Sequence, residues 1–250
     1  MGNPFTGAGY FLRGLKLILQ PGLRRFVAIP LSINLALFGG LLWFGASQFG
    51  DLLDHLMATL PDWLQWAEWL FWVLFGLSAA LILFYAFSLL ANIVAAPFNA
   101  LLAEAVEIRL TGDGAGEGAD WRKMLAELVP TLIDELRKLL YLAGWSIPFL
   151  ILFFVPGLNI LAPFLWLAFT AWMLVLEYLD YPMGNHGLRS DEQKGYLRTK
   201  RLMVMGFGTT VTLATMTPVL NFLVMPAAVA GATAMWVEQF RGRRDELVDA

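Results

Sequence analysis

Arg24 and Arg25 stand side by side in "LQPGLRRFVAIP", preceded by Gly22 and Leu23, and the next charged residue is Asp51. Two adjacent guanidinium groups present forked N–H donors that suit an oxyanion better than a point charge does. Glycine lets a ligand come close to the backbone. Pro21 suits the first turn of a helix, so the order of residues predicts a helix starting at Pro21 or just after. Its unused N–H groups would include those of Gly22, Leu23 and Arg24. A helix N-terminus already carries partial positive charge, and two arginines placed on it concentrate that potential. The arrangement calls for an anion. A small free oxyanion and the phosphate of a membrane lipid both satisfy it, so the arginines are either a binding site or a membrane anchor.

Three further groups of residues have chemistry available to them. In "NIVAAPFNALLAEAVEIRLTG", Glu104 and Glu107 share one side of a helix at i, i+3, with Arg109 close by. They read as a gate, a proton-linked carboxylate or an oligomer contact, or else as the solvated end of a helix. "LEYLDYPMGNHG" holds Glu177, Asp180 and His186. His186 has the side chain that titrates nearest neutral pH, but the stretch reads as a plain loop. Asn159 and Asn221 follow prolines inside long apolar runs. Their amides would line a pathway if the chain turns within the membrane. Gly206, Gly208, Gly231 and Ala232 suit such a pathway and close helix packing equally.

Much else is excluded. There is no cysteine, hence no disulfide or thiolate chemistry. The two histidines, His55 and His186, are far apart in sequence, and no metal or cofactor is expected. No nucleotide, zinc-protease or serine-hydrolase motif is present, and no nucleophile–base pair suggests an enzyme. A net charge of −3 gives no polybasic surface for nucleic acid.

The elements that carry these residues follow from hydropathy. Of the 250 residues, 58% are hydrophobic and 15% charged, with a mean hydropathy of +0.64. A soluble domain is about 25% charged, so the bilayer is the expected solvent. The first 25 residues do not read as a signal peptide, because Arg13 and Lys16 interrupt their apolar run. The myristoylation-like start at Gly2 is taken as chance. Four stretches lack Asp, Glu, Lys, Arg and His: 26–50, 69–103, 139–176 and 202–237. The first two are expected to be transmembrane helices. The last two, of 38 and 36 residues, are each broken at the centre by Pro-x-Leu-Asn and a second proline: Pro156 and Pro163, then Pro218 and Pro226. Proline interrupts a helix, so each is expected to be a helical hairpin. Arms of 16 or 17 residues reach about 25 Å, short of the roughly 30 Å hydrocarbon layer, which favours partial penetration.

Charge sets the sides. Segment 47–68 holds Asp51, Asp54, Asp62 and Glu68 but no Lys or Arg, and all seventeen basic residues lie elsewhere. The positive-inside rule places both termini and segments 104–138 and 177–201 in the cytoplasm. Trp63, Trp66, Trp69 and Trp72 recur every third residue, as an interfacial anchor should. The expected fold class is therefore an all-α integral membrane protein, a single membrane domain spanning 1–250. It has two long transmembrane helices and two proline-broken hairpins.

The motifs "QPGLRRFVAIPL", "PDWLQW", "NIVAAPFNALLAE", "LDYPMGNH" and "AVAGATAMWV", taken in order over essentially the whole chain, resemble the CysZ family of bacterial inner-membrane sulfate permeases. The wider group includes eukaryotic etoposide-induced membrane proteins, but these motifs are of the bacterial type. The resemblance implies sulfate uptake across the inner membrane towards cysteine biosynthesis, and assembly into homo-oligomers. It also implies an anion site at Gly22, Leu23, Arg24 and Arg25, with Glu104, Glu107 and Arg109 at the charged helix end. The alternative is a non-transporting membrane scaffold whose arginines grip lipid phosphate.

Overall fold

In the computed structural model, the described residues are 2–59, 66, 68–82, 88–113, 137 and 140–242. Trp63, Asp62, the greater part of segment 104–138 and the C-terminal Ala250 lie outside them. Every regular element among the described residues is helical, and the chain is an all-α membrane protein. Two compact units are formed, one of residues 1–24 and 99–250 and the other of residues 25–98.

The first unit begins with α1, Pro4–Ile18. The Asn3 side chain accepts from the Phe5 N–H at 2.9 Å and Pro4 opens the helix, a paired N-terminal signal. Along one side, Gly7 and Gly14 bring the backbone against α8, Arg201–Thr215, and α9, Pro218–Trp236. A Cβ at Gly7 would strike the Met203 carbonyl, and one at Gly14 the Ala227 carbonyl. The contact is reciprocal, because a Cβ at Gly206 would meet the Pro4 carbonyl and one at Gly231 the Tyr10 carbonyl. Gly208 lies in the same way against Ala171 of α6, Ala162–Asn185. Ala232 is fully buried. Of the two roles open to these small residues, close packing is the one they perform here.

Both proline-broken runs are hairpins, but of different kinds. In the first, α5, Leu140–Leu152, is followed by turns through Leu161 and then α6. Gly157 has φ +85, and the Asn159 N–H donates to the Val155 carbonyl at 3.0 Å. In the second, α8 and α9 are separated only by Met216 and Thr217. Asn221 therefore does not lie in a turn. Pro218 starts α9, and the Asn221 N–H donates to the Thr217 carbonyl at 2.9 Å inside the helix. The arms are also unequal. Helix α6 and the stretch Leu220–Arg241 are long and apolar enough to cross a bilayer. The 15 residues of α8 reach about 22 Å.

The expected loop at 176–187 is helical up to Asn185. Pro182 removes one helical hydrogen bond, but Tyr178, Leu179, Pro182 and Met183 are all buried there, and packing keeps the last turns helical. The helix stops at Gly187, φ +73, with Leu188 N–H to Met183 carbonyl at 3.1 Å and Gly187 N–H to Gly184 carbonyl at 2.8 Å. That is a Schellman termination. After it, α7, Ser190–Thr199, is capped by Glu192, whose carboxylate accepts from the Arg189 N–H at 2.8 Å.

The second unit contains α2, Arg25–Met57, α3, Glu68–Ile82, and the beginning of α4, Ser88–Thr111. The 33 residues of α2 extend about 50 Å, well beyond one hydrocarbon layer. Near its far end Phe49 stacks on Phe75 with centroids 4.3 Å apart and meets Trp72 edge-on at 5.0 Å. Trp66 and Trp69 are exposed. Only 6% of the apolar window of α2 is buried.

Candidate anion-binding turn and the charged end of α4

Gly22 sits at φ +90, a conformation closed to a continuing right-handed helix and open to glycine at little cost. The carbonyl of Gln20 accepts from both the Leu23 N–H, at 3.1 Å, and the Arg24 N–H, at 3.2 Å. The segment from Pro21 to Arg24 is therefore a turn, and α2 begins at Arg25, not at Pro21. Two of the three N–H groups expected to be open are used by the turn itself. The donors left over at the start of α2 are those of its own first residues, from Arg25 onwards.

The side chains divide cleanly. Leu23 is buried and ties the turn down, while Gly22, Arg24 and Arg25 are exposed. Among the described residues neither arginine makes an ion pair. The Arg25 guanidinium lies 4.8 Å over the Phe26 ring, a cation–π contact that keeps it at the first turn of α2. From α4, Arg109 NH1 donates to the Pro21 carbonyl at 3.4 Å. Arg109 is thus attached to the turn that carries the arginines.

Glu107, two residues earlier, faces the other way and is completely buried. His186 Nε2 lies 2.8 and 2.9 Å from its two carboxylate oxygens. Arg241 NH1 lies 3.2 Å from Oε1. The His186 ring packs against Trp236 at 5.5 Å between centroids. One side-chain neighbour further along, Asn185 Nδ2 donates to the Ala100 carbonyl at 3.0 Å. The last turns of α4 are thereby held from α6 and from the C-terminal extension of α9. Glu104 is half-buried and outside this cluster. Asn159 and Asn221 are exposed, and their side chains make no hydrogen bond among the described residues. No group of three His, Asp or Glu that could hold a metal is found among the described residues.

His186 and Arg241 went unrecognised as partners in the sequence. One signal was available. Asn99, Ala103 and Glu107 fall at i, i+4, i+8 on the face that also buries Leu102 and Val106. A carboxylate in register with a buried face needs a cation brought from elsewhere in the chain. The extension of α9, Val237–Arg241, is a π-helical turn. From it Glu238 accepts from the Tyr10 hydroxyl at 2.9 Å and pairs with Arg13. Gln239 donates to the Tyr10 hydroxyl at 2.9 Å and accepts from Lys200 at 2.6 Å. Burial, and then the Glu238 carboxylate, hold the Tyr10 hydroxyl above the usual tyrosine pKa.

Comparison with known proteins identifies the family. Residues 10–226 match the family described as sulfate transporter CysZ/etoposide-induced protein 2.4. The chain is 46% identical over 234 residues to a sulfate transporter CysZ of Pseudomonas fluorescens strain Pf0-1, covering 94% of each chain. It is 47% identical to the protein of that name from strain SBW25, covering 94% of this chain and 92% of the relative. It is 44% identical to that of Pseudomonas aeruginosa PAO1, covering 94% and 95%. The chain belongs to the sulfate transporter CysZ/etoposide-induced protein 2.4 family.

Proposed function

We propose that this member of the family moves sulfate across the bacterial inner membrane, supplying cysteine biosynthesis, and that the anion is held at Gly22, Leu23, Arg24 and Arg25. The carrying observation is the pair of exposed arginines, without ion pairs among the described residues, beside a glycine turn. Relatives named sulfate transporters at 44–47% identity over nearly their whole length support the choice of anion. Guanidinium forks suit a tetrahedral dianion, and the first N–H groups of α2 reinforce them. With Leu23 buried, its part is to fix the turn and not to touch the ligand.

Around this site the reading is completed as follows. The chain acts as a single membrane domain, in a homo-oligomer, with both termini in the cytoplasm. Glu104, Arg109, Asn159 and Asn221 are the candidates for the route or its gate. Glu107 serves that end of α4 from within. Having no nucleotide motif, the protein draws on an ion gradient or on the sulfate gradient itself.

A membrane scaffold gripping lipid phosphate would use the same arginines, and a binding measurement separates the two. Radiolabelled sulfate is titrated against protein purified in a neutral detergent with no anionic lipid. Saturable binding is expected, weakened at least about tenfold in the Arg24→Ala/Arg25→Ala variant, since two charge-assisted contacts are lost. Absence of saturable binding to the parent protein would favour the scaffold.

A further inference from the structure

We infer that His186 is a positioning residue for the anion site, acting through Glu107 and Arg109. The inference rests on the reading that sulfate binds at Gly22–Arg25. The chain of contacts lies wholly within one compact unit. His186 is the residue at which α6 ends, and the Schellman bonds of Gly187 and Leu188 fix its backbone. Its side chain is almost wholly buried and Nε2 reaches both oxygens of Glu107, at 2.8 and 2.9 Å. Glu107 is buried on α4, and the Thr111 hydroxyl donates to its carbonyl at 2.9 Å. Two residues beyond Glu107, Arg109 holds the Pro21 carbonyl. Pro21 opens the turn whose geometry Gly22 permits and Arg24 completes.

The direction of the effect follows from the geometry. The Glu107 side faces the interior and the Arg109 side faces the turn, two residues apart on one helix. A helix segment rotates and slides as one piece, so holding Glu107 also sets where Arg109 ends. Arg241 NH1 approaches Oε1 at 3.2 Å from one side. His186 Nε2 spans both oxygens, at 2.8 and 2.9 Å, and so fixes the plane of the carboxylate. Loss of His186 leaves the buried carboxylate under-satisfied, and α4 must shift to serve it. The Pro21–Arg24 turn shifts with it. What this requires of His186 is a hydrogen-bond donor at the Nε2 position. A glutamine amide supplies one from nearly the same place.

The test measures sulfate binding by purified protein for the parent, His186→Ala, His186→Gln, Arg109→Ala and Arg24→Ala/Arg25→Ala. His186→Ala is expected to raise the dissociation constant about two- to thirtyfold, the range of mutations that act along a contact network. His186→Gln is expected to restore most of the affinity. Arg109→Ala is expected to weaken binding, and adding His186→Ala to it to weaken binding by less than the product of the two effects. A folded His186→Ala variant with parental affinity overturns the inference, and so does equal loss in the alanine and glutamine variants. Should His186→Ala fail to fold, Arg109→Ala decides: parental affinity there breaks the link from His186 to the turn and overturns the inference. Parental affinity in the double arginine variant instead removes the site itself, a result distinct from all of these.

Discussion

Glu107 places a carboxyl group where no solvent reaches it, and the cost of doing so falls on its partners. Arg241 and His186 both meet it. Removing one member of a buried pair leaves the other uncompensated and typically costs about 3–5 kcal/mol. Arg241→Ala is accordingly expected to lower the thermal midpoint of the detergent-solubilised protein sharply, with Arg241→Lys retaining part of the loss. Glu104, half-buried on the same helix, is expected to tolerate Glu104→Gln with little change in that midpoint. The two carboxylates look alike in "LLAEAVEIR". Register separates them, since Glu107 falls on the buried face with Asn99 and Ala103, but its partners, a histidine 79 residues away and an arginine still further along the chain, are not encoded locally. Arg24 and Arg25 could be read from the sequence for the opposite reason, since their setting is made by their immediate neighbours.

At the scale of elements, α1 is the part that hydropathy undervalued. Arg13 and Lys16 keep it out of the uncharged runs, yet it lies in backbone contact with both arms of the second hairpin through Gly7, Gly14, Gly206 and Gly231. Gly14→Leu and Gly231→Leu are each expected to destabilise the fold by about 1–3 kcal/mol or more, the usual cost of overpacking. Gly9, which has open space around it, is expected to accept alanine without loss. Thermal melts of the three variants in one detergent provide the comparison. The hairpins were legible because proline breaks a helix wherever it cannot be accommodated. At Pro182, inside the stretch expected to be a loop, burial outweighs the lost hydrogen bond, and Pro21 does not start the helix expected there. There the positive φ of Gly22 delays the helix by four residues. In both cases a backbone rule met a neighbour that changed its outcome.

For the whole molecule, composition pointed to the bilayer, because so apolar a chain needs lipid, and the four uncharged runs pointed to helices within it. The apolar window of α2 is only 6% buried, so its cover comes from lipid or another chain. The distribution of basic residues gives a topology that a cysteine-free chain makes simple to check. In intact cells, an impermeant thiol reagent is expected to label Thr59→Cys and to leave Arg198→Cys unlabelled until the membrane is opened. Labelling of Arg198→Cys in sealed cells would reverse the assigned sides. The function stands or falls on passage of the anion. Labelled sulfate uptake into proteoliposomes is the most direct measurement, with empty liposomes and the Arg24→Ala/Arg25→Ala variant alongside. Uptake by the parent protein above empty liposomes, with a half-saturating sulfate concentration raised at least about tenfold in the variant, is the predicted result. Parent flux equal to that of empty liposomes would contradict it.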